Sequence, residues 1–390
     1  MSQDTTPSDR RKAGLYVHFP FCLRKCPYCD FNSKVAGPRE RDEYLEALRR
    51  EVAALGPQWK GVVFDTVYFG GGTPTLYSPK ILADLLDLLR HTFIIEPAAE
   101  VTVEANPKTV DTTGLRYLFA NGFNRISLGV QSLDDDDLRF LGRIHNSADA
   151  LAAFHCARAA GFRNINVDLL RCLPGHTPES WRELLRRVVA LGPEHVSCYA
   201  LTLEPGTRLF ELYQRGDFQM PDEQTSLALL ETTDHVLQSS GFERYEVSNW
   251  AQPGRECRHN LKYWLGGDYL GLGAGAWSHR DDQRWGNVAD PSAYIARLFS
   301  RSSPVEECER LPAERKMIER AMVGLRLVRG VELAHLTAGA PEEAVVRLHR
   351  TLDTLAKDGL VWFNNGQVKP TPKGLALLNQ VALRLMEELA

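Results

Sequence analysis

Three cysteines within eight residues constrain this chain more than any other feature. Cys22, Cys26 and Cys29 are spaced CxxxCxxC in the stretch C-L-R-K-C-P-Y-C, directly after a strand-like run from Leu15 to Phe19. Three thiolates so placed wrap one corner of a cubane 4Fe–4S cluster and leave one iron without a protein ligand, open to a small molecule. A zinc site is the competing reading, but zinc motifs usually supply paired CxxC elements and a fourth protein ligand, and none lies nearby. Cys156, Cys172, Cys198 and Cys308 are scattered and read as small buried hydrophobes. Free thiols beside an oxygen-sensitive cluster fit a reducing, cytoplasmic compartment.

The chain has 390 residues, enough for one large domain and a smaller one. Hydrophobic residues make up 44% and charged residues 25%, the balance of an ordinary globular protein. The net charge of −4 sets up no global attraction for nucleic acid or an anionic membrane. No apolar run is long enough to cross a bilayer. Residues 1–12 are polar throughout, which argues against a secretory signal and for a mobile tail.

Over residues 13–240 short strands alternate with amphipathic helices. Strands are expected at Leu15–His18, Thr66–Phe69, Glu100–Glu104, Arg125–Val130, Asn164–Leu169 and His195–Leu201, with helices over 41–55, 79–91, 109–121, 134–141, 147–160 and 178–190. That alternation predicts a parallel sheet with right-handed crossovers. The strands also alternate within themselves. Ile126, Leu128 and Val130 oppose Ser127, Gly129 and Gln131; Val101 and Val103 oppose Thr102 and Glu104; Ile165 and Val167 oppose Asn164, Asn166 and Asp168. A doubly wound sheet buries both faces and reads apolar throughout. One polar face instead predicts an α/β fold of another kind, an open, partial (β/α)6 TIM-like barrel around a wet or ligand-filled interior, with function at the C-terminal strand ends. Residues 205–240 read as mostly helical. Residues 241–305, rich in aromatics and glycine, read as an extension of strands and turns. Residues 306–390 follow a helix–hairpin–helix order and predict a winged-helix-like domain. It carries no basic stripe, which favours scaffolding or protein contact over DNA binding.

Further motifs sit at the expected strand ends. Gly70-Gly71-Gly72-Thr73-Pro74 brings bare backbone amides toward a ligand, or merely turns the chain from strand to helix. Glu104-Ala105-Asn106-Pro107 places a carboxylate where it can accept from a ribose diol or form a salt bridge. Gln131 and Arg143 follow the fourth strand, and Asp168 ends the fifth. The acidic run Asp134–Asp137 reads as a helix first turn after Ser132, favoured by the helix dipole. Cys257-Arg258-His259-Asn260-Leu261-Lys262-Tyr263-Trp264 combines thiol, imidazole and two aromatics, which suits either an iron porphyrin or a hydrogen-bonded structural histidine in an aromatic core.

Together these segments resemble the HemW family of heme chaperones, relatives of the HemN-type oxygen-independent coproporphyrinogen III oxidases in the radical S-adenosylmethionine (SAM) superfamily. The resemblance runs from about Gly14 into the C-terminal domain. It implies that Cys22, Cys26 and Cys29 hold the cluster and that Tyr16, Gly71, Gly72, Thr73, Glu104, Gln131, Arg143 and Asp168 contact SAM, some of them a second SAM, with Tyr28 at that second site. Ala200 and Trp277 match two more SAM-neighbouring positions. His259, Asn260, Tyr263 and Trp264 match the family's HNxxYW heme-binding motif, with Cys257 beside it as a further candidate ligand.

The resemblance leaves two activities to separate. One is a heme chaperone serving recipient hemoproteins, with transient contact to membrane respiratory complexes, homodimerisation and no nucleic-acid partner. The other is radical SAM oxidative decarboxylation of coproporphyrinogen III. HemN-type oxidases carry a fourth cysteine where Phe31 stands here and a longer N-terminal extension, and HNxxYW is intact, so the expectation is a chaperone rather than an oxidase.

Overall fold

In the computed structural model, which describes residues 11–389, the alternation of strand and helix is realised as strands β1 (Lys12–Phe19), β2 (Val63–Gly71), β3 (Ile94–Ala105), β4 (Arg125–Gln131), β5 (Ile165–Arg171) and β6 (His195–Ala200). The helices between them are α1 (Pro38–Leu55), α2 (Pro79–Thr92), α3 (Thr112–Ala120), α4 (Asp135–Phe140), α5 (Ser147–Ala160) and α6 (Pro178–Ala190). Helix boundaries follow local chemistry. Asn146 and Asp149 form a capping box at α5, Thr177 and Ser180 another at α6, and Pro178 occupies the first turn of α6, where no N–H is missed. In the acidic run Asp134 is the cap, accepting from the N–H groups of Asp136 and Asp137. Trp181, Leu184, Leu185 and Val188 then form the buried face of α6.

The predicted tail of residues 1–12 lies largely outside the described residues. Its last two members are held: β1 begins at Lys12, and Arg11 pairs with Asp268 and Asp281. Residues 205–240 give α7 (Arg208–Gln214) and α8 (Glu223–Ser239). Trp181 Nε1 donates to Thr233 Oγ1 at 2.8 Å, tying α6 to α8.

The region read as an extension is built into the sheet. Strands β7 (Glu243–Glu246) and β8 (Asn249–Ala251) continue one edge. Helix α9 (Arg258–Trp264) follows, so HNxxYW is helical rather than strand and turn. Strands β9 (Asp268–Leu272), β10 (Trp277–Arg280), β11 (Gln283–Asn287) and β12 (Val305–Arg310) extend the other edge, with α10 (Pro291–Phe299) between the last two. The result is a 12-stranded sheet in the order β12-β11-β10-β9-β1-β2-β3-β4-β5-β6-β8-β7. β9 and β1 to β6 run parallel, and antiparallel strands flank them. The open parallel barrel expected from the strand faces is therefore present, and it continues at both edges.

Period-two alternation sorts each strand. Leu15, Val17 and Phe19 of β1, and Ile126, Leu128 and Val130 of β4, lie in the main core beneath the helices. The opposite face turns to the barrel interior. Gly14 leaves little room there: a Cβ would lie 3.1 Å from side-chain atoms of His259, Lys262 and Thr66, which would have to shift by a few tenths of an ångström.

The smaller domain comprises α11 (Ala313–Gly324), β13 (Val331–Glu332), α12 (Leu333–Thr337), α13 (Glu342–Lys357), the hairpin β14 (Val361–Asn364) and β15 (Gln367–Pro370), then α14 (Pro372–Ala376) and α15 (Leu378–Leu389). Asn365 and Gly366 take positive φ at the hairpin tip, as a two-residue turn demands. The helices and the β13-β15-β14 sheet make the winged-helix arrangement, with its own core around Met317, Leu348 and Leu385. Residues 306–310 belong to β12, so this domain starts after Arg310, later than the sequence reading placed it. Leu261, Trp264 and Leu265 pack against its core, so the domain braces α9.

Glu51 of α1 is a buried carboxylate that ties the first helix to the late strands. It accepts from Asn287 Nδ2 at 2.5 Å, Tyr294 Oη at 2.6 Å and the Gly273 N–H at 2.8 Å. Burial pushes its pKa up to about 7, against the pull of those donors. Because the folded value lies above the unfolded one, the folded chain binds the extra proton. This contribution to stability is complete below the ordinary carboxylate range and lost as pH rises through about 7. Glu51→Ala is expected to destabilise the fold by about 2–4 kcal/mol by orphaning those donors, and to flatten the decline in stability across that pH window. Urea unfolding at several pH values checks both.

Candidate functional site

The cysteine loop is pinned from several strands. Gly72 N–H donates to Phe19 O at 2.7 Å, Thr73 N–H to Phe21 O at 2.9 Å, Lys34 N–H to Pro20 O at 2.9 Å and Cys22 N–H to Lys34 O at 3.0 Å. Gly72 has no room for a side chain, since a Cβ would lie 2.7–2.9 Å from the backbone of Phe19 and Phe21. The GGGTP segment is thus the second wall of the cysteine loop. Cys22, Cys26 and Cys29 are free and half-buried.

Two side chains donate to these sulfurs: Thr73 Oγ1 to Cys22 Sγ at 3.6 Å and Arg143 Nη1 to Cys26 Sγ at 3.4 Å. Asn106 joins the donors, giving Nδ2–H to Thr73 Oγ1 at 2.7 Å and accepting from Arg143. Burial pushes the Cys29 thiol up, helped by the neighbouring Cys26 and Cys22. Among the described residues no three His, Cys, Asp or Glu side chains converge on a single ion. Separate corners of a cubane ask for no such convergence, and the sulfur-directed donors fit that donor set.

Above the loop the barrel encloses a cavity of about 450 Å³. Cys22, Cys26, Cys29, Tyr28, Gly71, Gly72, Glu104, Gln131, Arg143, Asp168 and Ala200 all line it. Glu104 accepts from Tyr68 Oη at 2.8 Å and from the Gly71 N–H at 3.0 Å. Desolvation still pushes it up to about 7. Asp168 accepts from Asn166 Nδ2 at 2.7 Å and Ser127 Oγ at 2.9 Å, and burial raises its pKa. Arg143 also donates to Gly129 O at 2.8 Å. Gln131 sits at φ 68°, where the pairing of β4 with β5 shifts register. A strained residue at a strand end is a recurrent mark of functional sites.

Three expected site residues lie elsewhere. Tyr16 stacks on His259 and tilts against Tyr68 without lining this cavity. Thr73 faces the cysteine loop rather than the cavity. Trp277 lies in β10, outside the cavity, under the Arg284 guanidinium. Conversely, Tyr68, Asn106, Arg125, Ser127 and Asn166 line the cavity and were not singled out. The polar strand face carried the signal for Ser127 and Asn166, and Asn106 lay inside a quoted motif. Tyr68 carried no mark of its own in an apolar strand.

Helix α9 closes the interior from the N-terminal end of the strands. Glu100 caps it, accepting from His259 N–H at 3.1 Å, Arg258 N–H at 3.2 Å and Cys257 Sγ at 3.6 Å. His259 Nδ1 pairs with Thr66 Oγ1 and Nε2 with Tyr263 Oη, both at 2.9 Å. Burial, with the charges of Lys262 and Arg125, drives its pKa down to about 3, so it is neutral. Cys257 is fully enclosed, and burial pushes its thiol up to about 12. Neither side chain stands as an open iron ligand here, because packing and hydrogen bonding occupy both. Of the HNxxYW residues, Asn260 lines the barrel cavity, whereas Tyr263 and Trp264 line a second cleft on the other side.

A barrel with a CxxxCxxC loop at its C-terminal rim defines a radical SAM protein, and the sequence matches the Radical SAM superfamily over residues 16–188 and the HemN C-terminal domain over 311–377. Heme chaperone HemW of Mycobacterium tuberculosis is 37% identical over 383 residues, 97% of this chain and 96% of that protein. Heme chaperone HemW of Escherichia coli is 39% identical over 291 residues, 74% of each. Coproporphyrinogen III oxidase (HemN) from Escherichia coli, a radical SAM enzyme, superposes with a TM-score of 0.83 at 26% identity, covering 96% of this chain and 90% of that one. The chain belongs to the HemW family.

Gly72→Ala is expected to displace the cysteine loop and lower iron and sulfide incorporation on anaerobic reconstitution well below wild type. Iron and sulfide assay together with circular dichroism will show whether the loss occurs in an otherwise folded chain.

Proposed function

We propose that this chain is a heme chaperone, binding heme and passing it to hemoproteins such as respiratory enzymes, with a SAM-associated 4Fe–4S cluster in the barrel. Near full-length likeness to heme chaperone HemW of Mycobacterium tuberculosis carries the reading. It is supported by Phe31, which is 62% exposed at the cavity rim where the oxidases of the family carry a further cysteine.

In this proposal Cys22, Cys26 and Cys29 hold the cluster. Arg143 and Thr73 steady two of their sulfurs, and their donated hydrogen bonds temper the thiolate charge. SAM binds in the barrel cavity with Tyr28, Gly71, Gly72, Glu104, Gln131, Arg143 and Asp168 as its contacts. Glu104 and Asp168 offer acceptors to hydroxyl or ammonium groups, and burial, which raises the Glu104 pKa to about 7, makes that binding pH-sensitive. When bound and reduced, a 4Fe–4S cluster can supply one electron to cleave SAM. Heme is cargo, taken up around α9, where the HNxxYW residues act as wall and support. Dimerisation and transient contact with membrane-bound recipients belong to the same proposal; among the described residues no helix is long and apolar enough to cross a membrane.

The TM-score of 0.83 to HemN keeps the oxidase as a second reading. Anaerobically reconstituted protein divided between a hemin titration and an assay with SAM, reductant and coproporphyrinogen III separates them. Saturable heme binding without protoporphyrinogen is expected; protoporphyrinogen together with 5′-deoxyadenosine would replace the chaperone with the oxidase. Cys26→Ala is expected to abolish the iron–sulfur absorption while leaving heme affinity within about threefold of wild type, a difference below 1 kcal/mol. An intact iron–sulfur band in that variant removes Cys26 from the ligand set.

A further inference from the structure

The cleft beyond α9 has a volume of about 390 Å³ and shares no lining residue with the barrel cavity. Its walls come from the outer side of α9, strands β9 and β10, and helix α11 of the winged-helix domain. We propose that this cleft seats the heme macrocycle, with His279 Nε2 as the iron ligand and Lys316 facing a propionate. The proposal rests on the heme-carrier reading and gives it a location.

The imidazole is prepared for such a bond. His279 Nδ1 lies 3.2 Å from Gly267 O and 3.7 Å from Asp268 Oδ1, which holds the ring proton on that nitrogen. Nε2 has no hydrogen-bond partner among the described residues and keeps its lone pair. A metal-binding histidine is typically oriented this way, its far N–H given to a carbonyl or carboxylate. His259, on the same motif as the cleft aromatics, is the opposite case, with both nitrogens engaged.

The walls match the rest of the ligand. Cross-strand pairing sets Tyr269 beside His279, their ring centroids 5.9 Å apart. Tyr263 meets Tyr269 edge-on at 4.7 Å. Trp264 offers an indole whose buried N–H has no partner; Arg326 covers one face of its ring at 4.4 Å. These aromatics supply one wall for a flat macrocycle, and charged side chains supply most of the rest.

The charges discriminate further. Arg11 is committed to Asp268 and Asp281, and Arg284 to Glu309 and Glu319. Arg320 donates to the His335 and Ala338 carbonyls. Lys316 alone among the cations lining the cleft has no ion pair or side-chain hydrogen bond among the described residues, so its ammonium is free for a carboxylate. A cleft of this size leaves one edge of a porphyrin in solvent, as a carrier that must release its cargo requires.

The test titrates hemin into the full-length chain, read by Soret absorbance and by electron paramagnetic resonance of the ferric state. Wild type is expected to show saturable binding with an imidazole-ligated signature. His279→Ala should lose that signature and weaken binding at least about tenfold, the scale of loss that even a supporting partner of a metal ligand produces. Added imidazole should restore the signature in the vacated position. Lys316→Glu, on a half-exposed position, should weaken binding about fivefold, roughly 1 kcal/mol, while keeping the signature; it tests the cleft even if His279→Ala fails to fold. An unchanged signature and affinity in His279→Ala, or in Lys316→Glu an affinity equal to wild type, overturns the location while leaving the carrier reading standing. Absence of hemin binding by wild type overturns both.

Discussion

Glu100 holds helix α9 inside the barrel. Its carboxylate, 6% exposed, takes the first-turn N–H groups of Arg258 and His259. Left unpaired, the buried His259 N–H would cost about 1–3 kcal/mol. Lys262 and Arg258 reinforce the docking through Asp65 at 2.6 and 3.7 Å, and Gly14 leaves the space into which His259 and Lys262 fit. An open parallel sheet with a polar inner face would otherwise leave its lower interior unfilled. With α9 in place, that interior divides into a closed floor of interlocked rings and an upper cavity whose walls end at the cysteine loop.

The upper cavity depends on a second network that crosses strand boundaries. Cys22, Thr73, Asn106, Arg143 and Cys26 form a chain of donors and acceptors that begins and ends on a candidate cluster ligand. Its members come from the cysteine loop, the segments after β2 and β3, and the segment between α4 and α5, so the network ties the cysteine loop to neighbouring strand ends. Arg143 is the critical member because it is cationic and half-buried, and its charge is stabilised by Tyr28 and Cys26. Three thiolates in a half-buried loop repel one another. A guanidinium and a hydroxyl directed at them lower that repulsion before any metal arrives.

The repeating architecture was legible in the sequence because it rests on local signals. Period-two faces and helical apolar spacing placed the parallel strands and the helices from Ser147 and Pro178, although β3 begins at Ile94, ahead of the expected Glu100. The same faces pointed to a lined interior, and most of the residues expected around it do line the cavity. What stayed hidden depends on contacts between distant segments. HNxxYW has the composition of an irregular aromatic loop, yet forms a helix because Glu100, 159 positions away from His259, caps its first turn. For His259 and Cys257 an iron-porphyrin role and a structural role in an aromatic core stay open in the sequence, because burial is not written in a motif. Tyr68 acquires a role only when β2 sets it against Glu104 on β3. Tyr16, one strand over, turns instead to the ring stack on α9.

This placement also changes what HNxxYW means physically. Asn260 belongs to the barrel cavity and Tyr263 to the outer cleft, while His259 joins Tyr263 by a hydrogen bond and packs against Tyr16 and Tyr68. Tyr68 in turn donates to Glu104 at the cavity wall. One helix of seven residues therefore forms the partition between two cavities, and a continuous set of contacts runs from one to the other. Burial keeps His259 neutral, so its two nitrogens can serve Thr66 and Tyr263 as one donor and one acceptor without an unpaired charge in the partition. A histidine in that role is held by its neighbours on both sides, Thr66 on β2 and Tyr263 on α9 itself.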